Sequence, residues 1–211
     1  MNLTRLLQLA SPTLPVGAYS YSGGLEAAIE AGVVKDAPSA ERWIGDVLEF
    51  SVARMEAPLL LRMMSDRGSI EELNERFLAS RETAELRAET LQMGFSLKKL
   101  LAEVGAGEVP LQAPAFPAAY AFAAAQWKID ARSALVAYLW AWLENQVMAA
   151  VKAVPLGQTD GQRILLSLGD LLPSLAEKAF QIEDRDLSNF APGLAMHSSH
   201  HETQYSRLFR S

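Results

Sequence analysis

Residues 11–26 read SPTLPVGAYSYSGGLE, and this stretch connects the first two predicted helices. Its two prolines fix their own φ angles, while its three glycines permit tight or left-handed turns. Val16, Tyr19 and Tyr21 supply more apolar surface than a solvated linker needs. We therefore expect this connection to pack against the helices, which are arranged around it.

The end of the stretch predicts the start of a helix. With Gly23 as the N-cap, Glu26 falls at the third helical position, where a carboxylate meets free backbone N–H groups and the positive end of the helix dipole. A contact with a partner protein is the alternative explanation of Glu26. A phosphate-binding loop is a poor interpretation of the glycines, because a Walker loop needs a lysine and the nearest one downstream is Lys35.

The composition excludes several classes of protein. The chain has 211 residues, half of them hydrophobic, which is enough for a sizeable buried core. A net charge of −6 disfavours a nucleic-acid binder, because phosphate binding needs a basic face. The absence of cysteine excludes disulfides and thiolate chemistry and fits a reducing compartment. Because neither a secretory signal nor a membrane span is recognisable, we expect a cytoplasmic protein.

The periodicity of apolar residues predicts helices along the whole chain and no strands. The clearest predicted helices are residues 1–9, a helix that starts at Asp36, and residues 80–105, 117–127 and 130–153. Capping boxes predict three further helix starts, at Ser69, Thr159 and Ser174. Since no repeat or linker divides the sequence, we expect one all-α domain, a bundle of about eight to ten helices.

The sequence offers no catalytic constellation. There is no Gly-x-Ser-x-Gly elbow, and the histidines are confined to the C-terminal region, away from the many serines. Acid pairs such as Glu82 and Glu85 are predicted to lie on a solvated helix face, and Glu85 stands four residues from both Arg81 and Glu89, an attractive and a repulsive pair whose effects roughly cancel. Lys152 has a structural explanation as a cation near a helix C-terminus.

His197, His200, His201 and Glu202 are the candidate metal ligands. Imidazole and carboxylate groups could bind a transition metal ion, although a site needs preorganised ligands and terminal segments are usually mobile. A zincin site is excluded, because Tyr205 stands where the second histidine of that motif belongs. A polar tail without metal is the simpler interpretation.

The last seven residues, YSRLFRS, are unusual for a solvated terminus. Tyr205, Leu208 and Phe209 stand at i, i+3 and i+4, with Arg207 and Arg210 beside them. Aromatic residues and arginine are typical anchors of protein interfaces. The tail could dock on a partner or fold back onto its own core, and the sequence leaves both possibilities open.

Three separated segments together resemble one family, the urease accessory protein UreF. They are LPVGAYSYSGGLE at 14–26, VKAVPLGQ at 151–158 and HETQYSRLFRS at 201–211, and SRETAELR at 80–87 is similar too. The segments follow the order of the family and span nearly the whole chain. Gly23 departs from the pattern, because relatives often carry a larger polar residue at this position.

The resemblance implies an all-helical, dimerising protein that is not an enzyme and holds no cofactor firmly. Proteins of this family act in nickel insertion into apo-urease. They join the accessory protein UreD, also called UreH, and recruit the nickel-carrying GTPase UreG, so that GTP hydrolysis is coupled to metal transfer. A nickel chaperone that binds the ion through the tail histidines is the alternative function.

The resemblance also implies roles for individual residues. Residues 1–196 would form the helical domain, and 197–211 a partner-binding tail that need not be ordered in the free protein. Glu26 and Lys152 would lie near the dimer centre or on the surface that faces the GTPase. The tail residues that would become ordered against UreD are Tyr205, Arg207, Leu208, Phe209 and Arg210.

Overall fold

The structure, a computed structural model, describes residues 2–211 apart from the side chain of Arg67. The predicted first helix begins at Met1, which lies outside the described residues. The α-helices are α1 (Leu3–Ala10), α2 (Leu25–Glu30), α3 (Ala37–Val47), α4 (Ala57–Ser65), α5 (Ile70–Ala79), α6 (Ala84–Glu103), α7 (Phe116–Gln126), α8 (Ala131–Ala153), α9 (Gln158–Gly169), α10 (Leu172–Ala179) and α11 (Pro192–His201). Short 3₁₀ helices lie at Ala18–Ser20, Arg67–Ser69 and Asp184–Asp186.

The all-α prediction is confirmed, since residues 2–211 contain no strand. A π-helix, Leu48–Glu56, joins α3 to α4, so that residues 37–65 are continuous helix. Pro58 explains why this helix departs from regular α geometry, because proline cannot donate to the carbonyl four residues earlier. That carbonyl, of Arg54, accepts a hydrogen bond from the backbone N–H of Ser188 at 3.3 Å.

Some helix starts follow the predicted caps and others do not. The side chain of Asp36 accepts a hydrogen bond from the N–H of Ser39, and Asp130 does the same for Ser133, as predicted. The pKa of Asp36 is lowered by the hydroxyl and then the N–H of Ser39, and the pKa of Asp130 is lowered mainly by the N–H of Ser133. The helix start predicted at Ser69 is confirmed, since Ser69 is the N-cap of α5, but the capping box is wrong, because the Ser69 side chain makes no capping bond.

The other two capping boxes are also wrong. Helix α9 begins at Gln158, before Thr159, with Gly157 as its N-cap. Helix α10 begins before Ser174, because Pro173 is already preorganised for the first turn. The hydroxyl of Ser174 donates instead to the carbonyl of Leu171 at 2.8 Å.

The centre of the fold is built from α7 and α8. Residues 117–124 of α7 are all buried, and α7 packs against α4 and α6. Helix α8 contacts α1, α2, α3, α4, α9 and α10, so it joins the first four helices of the chain to the two that follow it. No helix in the described part of the chain has both the length and the apolar character needed to cross a membrane.

The connection over residues 11–26 packs as predicted. Leu14, Val16 and Tyr21 are buried, while Tyr19 is 75% exposed. The side-chain amide of Asn145 on α8 donates to the carbonyl of Tyr21 at 3.2 Å. The connection therefore forms part of the core beside α8 and places the start of α2.

A close approach between α6 and the segment before α7 requires glycine at position 94. A Cβ atom added to Gly94 would lie 2.0 Å from the carbonyl oxygen of Pro114, which is backbone and cannot swing away. We expect Gly94→Ala to lower the free energy of unfolding by about 3 kcal/mol, because the two backbones must move apart. Urea denaturation measures this loss.

Gly45→Ala is the matched control for this substitution. Gly45 also lies inside a helix, but the added Cβ would meet only the flexible side chain of Leu168, at 3.3 Å. Alanine also has the higher helix propensity, so we expect a change within about 1 kcal/mol. Equal effects of the two substitutions would contradict the role given to Gly94.

Candidate functional site

Residues 202–211 form the C-terminal segment, which follows α11 and contains no regular helix. Phe209 and Ser211 are buried, whereas Tyr205 is fully exposed and Leu208 is 51% exposed. The helical spacing seen in the sequence therefore does not produce a helical stripe. In this structure the segment folds back onto its own domain and keeps an outward face.

Glu26 receives the backbone of the C-terminal segment. Its carboxylate accepts hydrogen bonds from the N–H groups of Leu208 at 2.6 Å and Phe209 at 2.8 Å. Gly24, and not Gly23, is the N-cap of α2, so Glu26 stands at the second helical position and not the third. The backbone N–H of Glu26 is itself bound by the hydroxyl of Ser22 at 3.2 Å.

His201 lies fully buried between two carboxylates. Its Nδ1 is 2.6 Å from Oε2 of Glu85 on α6, and its Nε2 is 3.2 Å from Oε2 of Glu26 on α2. The other oxygen of Glu85 accepts a hydrogen bond from the guanidinium of Arg207 at 2.6 Å. One imidazole thus joins two helices and the C-terminal segment.

The end of the segment is held at three more points. The carbonyl of Ser211 accepts from the N–H of Ser22 at 2.9 Å, and its hydroxyl donates to Glu89 at 2.7 Å. The ammonium of Lys152 lies 4.9 Å from the centre of the Phe209 ring, a cation–π contact. The residues that hold the segment are termed the seat: Ser22, Glu26, Glu85, Glu89, Lys152 and His201.

The seat contains a carboxyl group with a strongly shifted pKa. Burial raises the pKa of Glu89 to about 7, and the hydrogen bond from Ser211 acts against this rise. The nearby charge of Glu56 adds to it. Near neutral pH the seat is therefore close to taking up or releasing a proton at Glu89.

Of the four candidate metal ligands, His197 and His200 are neighbours with ring centroids 6.1 Å apart, whereas His201 and Glu202 are bound by other groups. His197 packs edge-on against Trp43 with ring centroids 5.5 Å apart, and burial lowers its pKa. His200 is exposed on α11, and Oε1 of Glu202 accepts from the N–H of Ala84 at 2.9 Å. Within residues 2–211 no group of three or more histidine, aspartate or glutamate side chains is arranged to hold a metal ion. The four candidates are His197, His200, His201 and Glu202.

The structure brings Glu26 and Lys152 together with Phe209, although they lie in different helices. The side chain of Arg210 is exposed, and its backbone N–H donates to the carbonyl of Ser20 at 2.8 Å. Lys152 also stands in the last turn of α8, as its structural explanation predicted.

The sequence interpretation missed Glu85 and Glu89. The solvated face predicted for Glu85 is wrong, because Glu85 binds Arg207 of the segment, and Glu89, considered only as a neighbour of Glu85, accepts from Ser211. Their contacts span more than 120 residues of chain, which helix periodicity does not reveal. The only signal was that residues 80–87 resemble the family along with the loop and the tail.

A polar network next to the seat borders a cavity of about 190 Å³. Glu56 binds Arg81 at 2.9 Å and accepts from the hydroxyl of Tyr138 at 2.5 Å. Burial raises the pKa of Glu82 and, together with the charge of Glu56, that of Tyr138. Glu89 lines the cavity as well, together with apolar side chains that include Leu9, Val16, Phe77, Met93 and Trp142.

Fold and site together define an all-helical protein whose clustered polar residues bind a peptide segment. Residues 34–169 match the family model UreF. Over 99% of its length the chain is 60% identical to the urease accessory protein UreF of Azoarcus sp. (strain BH72), and the match covers 95% of that relative. The corresponding protein of Dechloromonas aromatica (strain RCB) is 52% identical over 100% of this chain and 98% of its own. The chain belongs to the UreF family.

The raised pKa of Glu89 predicts how stability depends on pH. Between about pH 4.5 and 7 the folded protein keeps a proton on Glu89 that the unfolded chain releases, so stability falls as pH rises through this range. We expect Glu89→Gln to remove this loss, because glutamine still accepts from Ser211. At pH 8 the variant should exceed the natural protein by roughly 1–3 kcal/mol, and near pH 4.5 the difference should disappear.

Denaturant unfolding measured at several pH values tests this prediction. Glu103→Gln is the matched control, because Glu103 is an exposed glutamate on the same helix. Its effect should not vary with pH by more than a few tenths of a kcal/mol. A difference between Glu89→Gln and the natural protein that stays constant from pH 4.5 to 8 would show that Glu89 is not the titrating group.

Proposed function

We propose that this protein is a non-enzymatic scaffold of urease maturation that works in the cytoplasm as a homodimer. It binds UreD (UreH) through its C-terminal segment and recruits the GTPase UreG to apo-urease, so that GTP hydrolysis is coupled to nickel insertion. Membership of the UreF family supports a role in urease maturation. The partners and the coupling are our proposal.

The observation that carries the proposal is the division of the C-terminal segment into two faces. Phe209 points inward and is buried, and its backbone is bound by Glu26. Tyr205, Leu208 and Arg210 point outward and are exposed. Tyrosine and arginine are enriched among the residues that dominate binding energy at protein interfaces. A segment fixed on one side and exposed on the other is suited to binding a second protein.

This division assigns different roles to the residues that the family resemblance grouped together. Tyr205, Leu208 and Arg210 contact UreD in the proposed complex. Glu26 and Lys152 act on the other side of the segment, by holding its inward face. Loss of an outward side chain should weaken the complex directly, whereas loss of an inward one should first loosen the segment.

The scaffold function is favoured over a nickel chaperone that uses the tail histidines. Both ring nitrogens of His201 lie within hydrogen-bond distance of carboxylates, and the carboxylate of Glu202 is bound to the start of α6. An ion at these residues would have to displace the contacts that hold the C-terminal segment. Nickel is accordingly treated as cargo of the assembled complex.

The outward face is tested with the double variant Tyr205→Ala/Leu208→Ala. Both side chains are exposed, so the melting temperature should stay within about 2 °C of the natural value. We expect affinity for UreD, measured by calorimetry, to fall at least about 30-fold, because two interface anchors are lost. Recruitment of UreG to the complex should fall in parallel.

Thr203→Ala is the control, since Thr203 is exposed in the same segment and its hydroxyl bonds only to the carbonyl of His200 at 3.2 Å. It should bind UreD normally. A folded double variant that binds UreD as tightly as the natural protein would refute the proposed contact.

A separate experiment decides between scaffold and nickel chaperone. In His197→Ala/His200→Ala we expect Ni²⁺ calorimetry and UreD binding to match the natural protein, because the seat does not include these two residues. The same histidine pair would be implicated in metal binding by a stoichiometric Ni²⁺ isotherm that the substitutions abolish. That result would establish the chaperone function instead.

A further inference from the structure

The C-terminal segment is held by side chains from three helices that do not adjoin in sequence. Glu26 lies on α2, Glu85 on α6 and Lys152 on α8, and each contacts the segment directly. Glu26 and Glu85 also share a second partner, the buried imidazole of His201. This ring lies at the end of α11, directly before the segment begins.

The arrangement of oxygens shows what the imidazole does. In both glutamates Oε2 faces His201 and Oε1 is turned to the segment, and Oε2 of Glu26 also accepts from the N–H of Phe209. Oε1 of Glu26 accepts from the N–H of Leu208, and Oε1 of Glu85 accepts from the guanidinium of Arg207. Because one oxygen of each carboxylate is bound by the ring, the direction of the other oxygen is fixed.

The ring also allows the carboxylates of Glu26 and Glu85 to lie close together where little water reaches them, because it offers a hydrogen-bond partner to each. The side chains of Glu26 and Glu85 are 12% and 16% exposed, so water can compensate little of their charge. A buried carboxylate without donors is costly and turns toward solvent or takes up a proton. If His201 were replaced by an apolar residue, each carboxylate would lose a partner and its fixed orientation.

We propose that His201 is a positioning residue that makes the C-terminal segment a latch. The imidazole orients Glu26 and Glu85 so that they bind residues 207–209. Because both carboxylates depend on the same ring, the contacts of Glu26 with Leu208 and Phe209 and the contact of Glu85 with Arg207 form and break together. A segment held in this way presents its outward face in fewer conformations, so that less conformational entropy is lost when a partner binds it. Only this last consequence rests on the proposed function, since the latch itself is a property of the isolated protein.

Amide hydrogen exchange measured by NMR on the full-length protein tests the latch. The amides of Leu208 and Phe209 report it directly, because both donate to Glu26. We expect His201→Leu to speed their exchange at least tenfold, while amides in the centre of α7 keep their protection. His200→Leu is the matched control, since it places the same side chain on an exposed neighbour and should leave both amides protected.

A second variant distinguishes positioning from general damage to α11. Glu85 does not contact the amides of Leu208 and Phe209, and among the described residues its carboxylate binds Arg207 and His201 alone. In an Arg207→Ala background, Glu85→Gln can therefore affect these amides only through the imidazole. We expect a further increase in exchange of at least threefold, and His201→Gln, which keeps a donor, should retain part of the protection that His201→Leu loses.

Two results would overturn the proposal. One is unchanged protection of Leu208 and Phe209 in folded His201→Leu. The other is the absence of any effect of Glu85→Gln in the Arg207→Ala background, which decides the matter if His201→Leu fails to fold. Neither measurement involves UreD, so the latch can fail while the proposed complex stands, and the complex can fail while the latch stands.

Discussion

Carboxylates that are largely cut off from water must find hydrogen-bond donors inside the protein, and this constraint organises how the C-terminal segment packs on the helices. Glu26, Glu85 and Glu89 all face the same region, and their donors come from the last residues of the chain. The segment therefore compensates acidic groups of the helical domain and is not an appendage to it. Without it, Glu26 and Glu85 would keep only the imidazole of His201 as a side-chain donor, and Glu89 would lose the hydroxyl of Ser211.

The tightly packed core explains why these carboxylates stay where they are. Gly94 brings α6 against the segment before α7, and the buried alanine-rich face of α7 leaves little free space on that side. Helix α6 carries Glu85 and Glu89, so its position in the core sets their distance from α2. Backbone packing far from the seat thus contributes to its geometry.

Local signals in the sequence were sufficient for much of the fold. Asp36 and Asp130 cap helices as predicted, because a cap depends on residues within one turn. The starts of α9 and α10 were predicted wrongly, since Gly157 and Pro173 set them and the Ser/Thr-x-x-Glu/Gln pattern was coincidental. The π-helix could not be predicted either, although Pro58 marked where regular geometry had to change.

The site was less predictable than the fold, for a physical reason. Glu26 and Lys152 each had a local explanation at a helix end, and only the resemblance of their segments to a family implied a role at an interface. The charge of Glu85 was predicted to lie on an ordinary solvated face. What gives these residues their role is contact with a segment more than 50 residues away in sequence in every case. Such long-range contacts do not change the spacing of apolar residues in either of the two stretches of sequence, so periodicity cannot reveal them.

The net charge of −6 gives the arginines of the C-terminal segment a particular meaning. Arg207 is used inward, on Glu85, whereas the side chain of Arg210 is exposed. One arginine of the segment, Arg207, thus binds the acidic seat, and the other, Arg210, is exposed on the same segment as Tyr205 and Leu208. Since a charge bound to the seat is not free for a partner, Arg210 is the arginine of the pair that can steer association, and Arg207 acts by holding the segment in place.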